Sequence, residues 1–416
     1  MISWQDALFT ATSATCVTGL VVVDTGSYFT VFGQCVILAL IQAGGLGIIT
    51  ITSLFFYLWR RRISLKDRIA VGQGLLSDPS FQLGRFLILI AVYTLSIEAA
   101  GALMIHVSAA GDFSVYASVF HSVSAFCNAG FSLFPDNLAQ WRGNLPINLA
   151  FSILIILGGL GFAVLVEIFE LLAGRSPFLK TGNRREFSWY ASIVLKTTLF
   201  LLLAGWAGIY VSEAAGLNSQ FSGKESVLAA FFQSVTCRTA GFNTINIGDA
   251  TNVTLLFMIV LIYIGGAPGS CAGGIKVTTF RTLLAYAWSH VKGRDQAVVG
   301  RFAVDDETVN KSFLLLVFSL GVIFAAVVVL NFTEGGEVPH PQARGLFLEI
   351  LFEVVSAFGT AGLSTGLTPY LSLAGKLIIT GLMFVGRLGP ILFLAVIRSY
   401  QQPAFYRSPE ESMLIG

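Results

Sequence analysis

One short tetrad occurs four times in the chain: Val17-Thr18-Gly19-Leu20, Asn128-Ala129-Gly130-Phe131, Thr239-Ala240-Gly241-Phe242 and Thr360-Ala361-Gly362-Leu363. The glycines are 111, 111 and 121 residues apart, the mark of an internal repeat. A Phe stands ten residues before each Gly (Phe9, Phe120, Phe231, Phe352), and in three copies a Ser stands six before it (Ser13, Ser124, Ser356). The chemistry open to such residues is coordination by backbone oxygen. A dehydrated cation needs ligands on several sides at once, and four strands of carbonyls meeting on an axis supply them without a buried formal charge. Glycine suits the centre of each strand because it accepts positive φ and allows close approach. The candidate ligands are the carbonyls of Val17, Thr18 and Gly19; of Asn128, Ala129 and Gly130; of Thr239, Ala240 and Gly241; and of Thr360, Ala361 and Gly362. The side chains of Asn128, Thr239 and Thr360 are candidates for steadying that backbone, and Arg238 for holding the third loop in shape.

A second set of residues lies 25 positions beyond the third and fourth glycines. Gly265-Gly266-Ala267-Pro268-Gly269-Ser270-Cys271-Ala272-Gly273-Gly274-Ile275-Lys276 is too rich in glycine to stay helical. It reads as a flexible loop at membrane depth, below the tetrads, where it can obstruct a path. A nucleotide-binding P-loop is excluded, because Ile275 separates Gly274 from Lys276 and no strand precedes it. Arg387 falls at matching depth in the fourth copy, and an arginine in an apolar helix marks a functional site. Three roles are open to it: a positive barrier to cations, a clamp on the carbonyls of the Gly-rich loop, or an ion pair with Glu98 or Glu167. Corresponding glycines in the first two copies, Gly44-Gly45-Leu46-Gly47 and Gly158-Gly159-Leu160-Gly161, read as close helix packing through small residues.

The elements that must position these residues follow from composition. Of 416 residues 55% are hydrophobic and 12% charged, against about 25% charged in soluble domains. The mean hydropathy is +0.78. This is an all-α polytopic membrane protein. Long apolar runs cover roughly 29–59, 83–107, 147–172, 189–212, 252–290 (interrupted), 311–331 and 371–397, each long enough to cross a bilayer. Shorter helices are predicted over about 3–15, 115–126, 225–236 and 345–357, each running into a tetrad. Each of the last three units is therefore a helix, a re-entrant short helix and loop, and a second helix, and the first unit is the same without its first helix. The units divide at 1–68, 69–182, 183–304 and 305–416, four pseudo-symmetric repeats around a central pore. Only 18 residues precede Gly19, too few for a spanning helix before the short one, so a truncated or mis-assigned start is expected; no cleavable signal peptide is evident.

Lys and Arg concentrate at 60–68, 175–185, 292–311 and 398–407, while the tetrad side carries only Arg142, Lys224, Arg344 and Lys376. The positive-inside rule then turns the tetrads outwards. The five cysteines and four histidines lack metal-site spacing, so no metal cluster, cofactor or nucleophile–base pair is expected. An intramembrane enzyme lacks its catalytic groups. A proton- or sodium-coupled carrier would want more buried carboxylates than Glu98, Glu349 and Glu353, and two inverted repeats.

In combination, Arg238-Thr239-Ala240-Gly241-Phe242-Asn243, Pro268-Gly269-Ser270-Cys271-Ala272-Gly273-Gly274-Ile275-Lys276 and Arg387 resemble the Trk/Ktr/HKT superfamily of potassium transporters over essentially the whole chain. The resemblance implies a potassium uptake subunit of the cytoplasmic membrane, with one pore per chain and K+ as transported ion. A sodium-coupled or sodium-permeable symporter of the same superfamily is the alternative. It implies a homodimer bound to a cytoplasmic nucleotide-binding regulatory subunit (Trk A or Ktr A type), and no nucleic-acid partner. It also implies a gate formed by Gly266, Pro268, Gly269, Ser270, Gly273, Gly274 and Lys276, with Arg387 beside it. Gly19 goes with potassium selectivity, and the short N-terminal region leans towards the Ktr B type.

Overall fold

The computed structural model describes residues 2–47, 83–109, 111–174, 186–214, 224–336, 339, 341–343 and 345–388. They form α1 (Trp4–Thr15), α2 (Thr25–Tyr28), α3 (Val31–Leu46), α4 (Leu83–Ser108), α5 (Val115–Phe126), α6 (Leu145–Leu160) and α7 (Phe162–Leu172). There follow α8 (Trp189–Ala214), α9 (Lys224–Thr236), α10 (Asn252–Tyr263), α11 (Val277–Val291), α12 (Asp306–Gly335), α13 (Leu346–Gly359) and α14 (Leu373–Leu388). One two-stranded hairpin, β1 (Val298–Val299) with β2 (Phe302–Ala303), lies between α11 and α12. Helix starts coincide with polar caps. Ser3, Thr30, Ser114, Asn144, Thr251 and Asp305 each accept a backbone N–H of the first turn, satisfying a donor that lipid would leave orphaned.

Phe86–Ser108, Trp189–Glu213 and Asp306–Gly335 are long and apolar enough to span a bilayer. The short helices before the tetrads, α1, α5, α9 and α13, match the expected segments to within two residues at each end. Each packs against the second helix of the preceding unit: α5 on α3, α9 on α6, α13 on α10, and α1 on α14, which closes the circle. Three of the repeated phenylalanines, Phe9, Phe120 and Phe352, are fully buried; Phe231 is half-buried. Between helices in lipid, packing of this kind replaces water exclusion as the cohesive force.

The second unit departs from expectation. Residues 147–172 read as one spanning helix, but α6 and α7 are bent by 111° at a break. Gly161 makes it, with φ +87° and ψ 143°, a backbone state closed to side-chain-bearing residues. Gly47 takes the same conformation after α3, with φ +85°. Small-residue packing is present as well. A Cβ on Gly44, Gly158 or Gly386 would run into the carbonyl of Thr15, Phe126 or Phe358 respectively, so the second helices of the first, second and fourth units lie directly against the ends of their own short helices. The basic runs at 60–68, 175–185 and 398–407, and the end of the 371–397 segment, lie outside the described residues.

Candidate functional site

All four short helices end in the same way. Val17, Asn128, Thr239 and Thr360 adopt φ of +56°, +57°, +69° and +49°, the left-handed state that reverses the chain at a helix C-terminus. The next N–H returns to the helix: Thr18 to Ser13 O at 2.8 Å, Ala129 to Ser124 O at 2.7 Å, Ala361 to Ser356 O at 2.8 Å and, one residue tighter, Ala240 to Thr236 O at 2.9 Å. Glycine is commonest at such a position; here β-branched Val17, Thr239 and Thr360 hold it, a strained choice.

The glycines that follow also have positive φ: Gly19 +93°, Gly130 +69°, Gly241 +77° and Gly362 +73°. They touch in cyclic order. A Cβ on Gly19 would lie 3.1 Å from Gly130 Cα; on Gly130, 2.7 Å from Gly241 Cα; on Gly241, 3.4 Å from Gly362 Cα; and on Gly362, 2.9 Å from Gly19 Cα. Four strands separated by more than a hundred residues thus close into one ring with no room for a side chain. All four glycines line a cavity of about 370 Å³, which Asp24, Asp136, Ser132, Ser364 and Asn243 also border.

The side chains of the tetrads do less than expected for their own backbone. In the orientation that satisfies its amide, Asn128 donates to Ala125 O (3.1 Å) and Ile155 O (3.2 Å), tying the second loop to α6. The buried hydroxyls of Thr18, Thr239 and Thr360 make no hydrogen bond, leaving oxygen atoms unused at the ring. The support comes instead from the short helices: Gly19 N–H donates to Ser13 Oγ (3.1 Å), Ser124 Oγ donates to Phe131 O (2.8 Å) and Thr236 Oγ1 to Phe242 O (2.6 Å). Ser13 and Ser124 were visible as part of the repeat, Thr236 replaces the Ser one residue later, and the Ser356 hydroxyl makes no hydrogen bond. Asn137, which sequence reasoning missed, reaches from the second unit to Gly241 O at 3.4 Å.

Residues 265–276 form a closed loop rather than a slack one. Ile264 and Ile275 pair side by side, with Gly265 N–H donating to Ile275 O (2.9 Å) and Val277 N–H to Gly266 O (3.1 Å). Gly269 and Gly274 both take φ +66°. Ser270 Oγ donates to Ala267 O (2.6 Å) and Lys276 Nζ to Ala272 O (2.6 Å). The break in the second unit receives this loop: Ala267 N–H donates to Gly159 O (3.0 Å), Cys271 N–H to Gly158 O (3.1 Å), and Phe162 N–H to Gly269 O (3.0 Å). A Cβ on Gly161 would lie 2.8 Å from Pro268 O, which also accepts from Tyr190 at 3.3 Å. Gly273 lies against Thr360 Oγ1 and Gly359 O, next to the glycine ring.

The contacts of Arg387 are with backbone carbonyls. Its guanidinium donates to Cys271 O in the loop, to Gly44 O, and to Gly45 O at 3.4 Å. No carboxylate among the described residues pairs with it. Glu98 instead accepts from Gln42 (3.3 Å), and Glu167 from the hydroxyl of Ser188 (2.8 Å). Arg238 does not hold the third tetrad as expected. It donates to Gly265 O (3.3 Å) and Thr198 Oγ1 (3.4 Å), and so fixes the start of the Gly-rich loop.

The sequence matches the TrkH family, described as cation transport protein, over residues 2–407. It is 38% identical to the Ktr system potassium uptake protein B of Bacillus subtilis (strain 168), over 100% of this chain and 90% of the relative. It is 36% identical to the potassium/sodium uptake protein NtpJ of Enterococcus hirae, over 99% of this chain and 89% of the relative. The fold is similar to the crystal structure of the potassium transporter TrkH from Vibrio parahaemolyticus, with a TM-score of 0.73 at 18% identity, covering 98% of this chain and 80% of that one.

Proposed function

Because the chain belongs to the TrkH family of cation transport proteins, a family of ion transporters and not enzymes, we propose that it is the pore subunit of a Ktr-type potassium uptake system in the cytoplasmic membrane. The closed ring of four positive-φ glycines carries this reading. Carbonyls of 17–19, 128–130, 239–241 and 360–362 replace the hydration shell of K+ as it passes. The short helices end at the ring, so their partly negative C-termini add a field that favours a cation. Asp24 and Asp136 border the cavity above it and raise the local cation concentration. The tetrads face outwards on the positive-inside argument.

The gate in this proposal is the loop containing Gly266, Pro268, Gly269, Ser270, Gly273, Gly274 and Lys276, latched by Arg387. What supports it is the set of bonds from Gly158, Gly159, Phe162 and Arg387, all of which must break for the loop to leave. Relatives named as parts of a Ktr system support membership of a multi-component system, and we extend the proposal to a cytoplasmic nucleotide-binding regulatory partner and a homodimer. Sodium is the second ion to consider, because one relative at 36% identity is named for both potassium and sodium.

The test is potassium and sodium uptake at low external potassium, in cells lacking their own potassium uptake systems. Wild-type chain with its regulatory partner should restore potassium uptake, and Gly19→Ser or Gly241→Ser should abolish its preference for potassium. Uptake that survives both substitutions with unchanged ion preference refutes the filter assignment.

A further inference from the structure

Nine residues before the four ring glycines stand Thr10, His121, Phe232 and Glu353, and two residues after them stand Val21, Ser132, Asn243 and Ser364. An ionisable side chain and a serine occur together in the second and fourth units alone. The cyclic contacts of the glycines place these two units opposite each other in the ring.

Both pairs are bonded. His121 is fully buried. Its Nδ1 lies 2.8 Å from Ala117 O, which can only accept, so Nδ1 carries the proton and Nε2 is the acceptor. That atom receives the Ser132 hydroxyl at 3.0 Å and the Leu133 N–H at 3.3 Å. The imidazole is stacked on Phe134, with ring centroids 5.0 Å apart. Glu353 is 1% exposed. Its carboxylate accepts from Ser364 Oγ and, at 2.7 Å, from Thr368 Oγ1, while Ser364 Oγ accepts Gly366 N–H at 2.9 Å. Ser132 and Ser364 both border the cavity above the ring. The other two units lack this brace. Thr10 Oγ1 has no partner, and Asn243 turns its amide to Ile245 O at 2.9 Å.

We propose that His121 and Glu353 are positioning residues for ion discrimination, each tying the outer end of its filter strand back to its short helix from opposite sides of the pore. This rests on the pore reading given above. The strand from Asn128 to Ser132 is then fixed at both ends, by the helix-end turn at Asn128 and by His121 at Ser132. The strand from Thr360 to Ser364 is fixed likewise by Glu353. Discrimination by carbonyl dipoles depends on the number and field of oxygens kept in place around the ion, so loosening the outer ends admits the smaller ion. The outer mouth therefore has two-fold rather than four-fold character.

The test measures potassium and sodium binding to the purified full-length chain by calorimetry. Glu353→Ala should lower the ratio of potassium to sodium affinity by roughly ten-fold or more, the low end for losing the hydrogen bond from Ser364 to a charged group. Glu353→Gln, which keeps one acceptor oxygen, should restore part of it. Ser364→Ala and Ser132→Ala break the same links while keeping the buried ionisable groups, which retain Thr368 and the Leu133 N–H as partners, and should lower the ratio in the same direction. Thr10→Val, at the matching position of the first unit, should leave the ratio unchanged. A merely structural role would weaken both ions alike and keep their ratio. Wild-type discrimination that persists in Glu353→Ala and both serine variants overturns the inference while leaving the pore reading intact. Wild-type chain that binds neither ion overturns the pore reading and this inference with it.

Discussion

Removing the guanidinium of Arg387 should open the pore, and the structure sets the size of the effect. Of its three carbonyl partners only Cys271 O belongs to the loop; Gly44 O and Gly45 O are last-turn carbonyls of α3, and Gly44 O also accepts the Gly47 N–H at 3.1 Å. The α3 bonds hold the arginine in place, and the Cys271 bond holds the loop. A hydrogen bond from a charged donor contributes about 1.5–3 kcal/mol. At about 1.4 kcal/mol per factor of ten, its loss shifts the balance of released to docked loop by roughly 10- to 150-fold. Flux through Arg387→Ala should rise towards that factor until the filter itself becomes limiting. Arg387→Lys separates the clamp from a charge barrier. A lysine keeps the positive charge, but its single ammonium lacks the planar fork that serves two carbonyls in different units. If the clamp governs flux, both variants should raise it; if the charge governs, lysine should keep it low. The assay is rubidium uptake into proteoliposomes, normalised to inserted protein. Unchanged or lower flux in well-inserted Arg387→Ala refutes the reasoning.

Shortening 268–274 should likewise raise flux, because the bonds of Gly269 and Cys271 to the second unit are lost together; a closed pore after the deletion would sink the gate assignment. Gly161→Ala forces a side chain into φ +87° and towards Pro268 O at 2.8 Å, a strain of about 1–3 kcal/mol, and should lower the thermal unfolding midpoint in detergent while Gly174→Ala, which meets nothing, should cost less. The ring of helices is closed by an ion pair between Lys376 on α14 and Asp6 on α1, 2.8 Å apart, and the hydrogen bond from Lys376 holds the Asp6 carboxyl below its usual value. A lowered carboxyl contributes stability at pH values above its unfolded value and loses it on acidification. The unfolding midpoint should therefore fall below about pH 4, and Asp6→Asn should lower the midpoint at pH 7 and flatten that acid limb.

The backbone plan was legible because a ring forces repetition. The positions next to the axis admit only glycine, so Gly19, Gly130, Gly241 and Gly362 recur, and the short helices leading to them begin and end within two residues of where the repeat places them. The break at Gly161 was hidden because Gly158-Gly159-Leu160-Gly161 serves two purposes at once. Gly158 packs against Phe126 O, a small-residue contact that any close helix pair would show. Only Gly161, three residues on and matched by Gly47, needs a backbone state that ends the helix. Side-chain partners were less legible still. Arg238 is next to Thr239 in sequence, yet its guanidinium reaches α8 and the Gly-rich loop. A long side chain acts several ångströms from its own backbone, so adjacency in sequence says little about its partner. The same holds for Arg387, whose partners lie 116 and 343 residues away.

The departures from symmetry depend on one another. A loop inserted beneath a ring of identical units can come from one unit only, since four such loops would compete for the same space. Having left its helix, that loop carries backbone N–H and C=O groups that lipid depth leaves no water to satisfy. The neighbouring units must then supply partners, and each supplies a different kind. The second offers the freed carbonyls of Gly158 and Gly159 and the N–H of Phe162, which exist only because Gly161 interrupts its helix. The fourth keeps its helix through Arg387 and offers a side-chain donor instead. The first holds that donor in place through Gly44 and Gly45. A broken helix in one unit, an intramembrane arginine in another and a glycine-rich loop in the third are therefore one device, and repairing the break at Gly161 should release the loop without touching any atom of the ring.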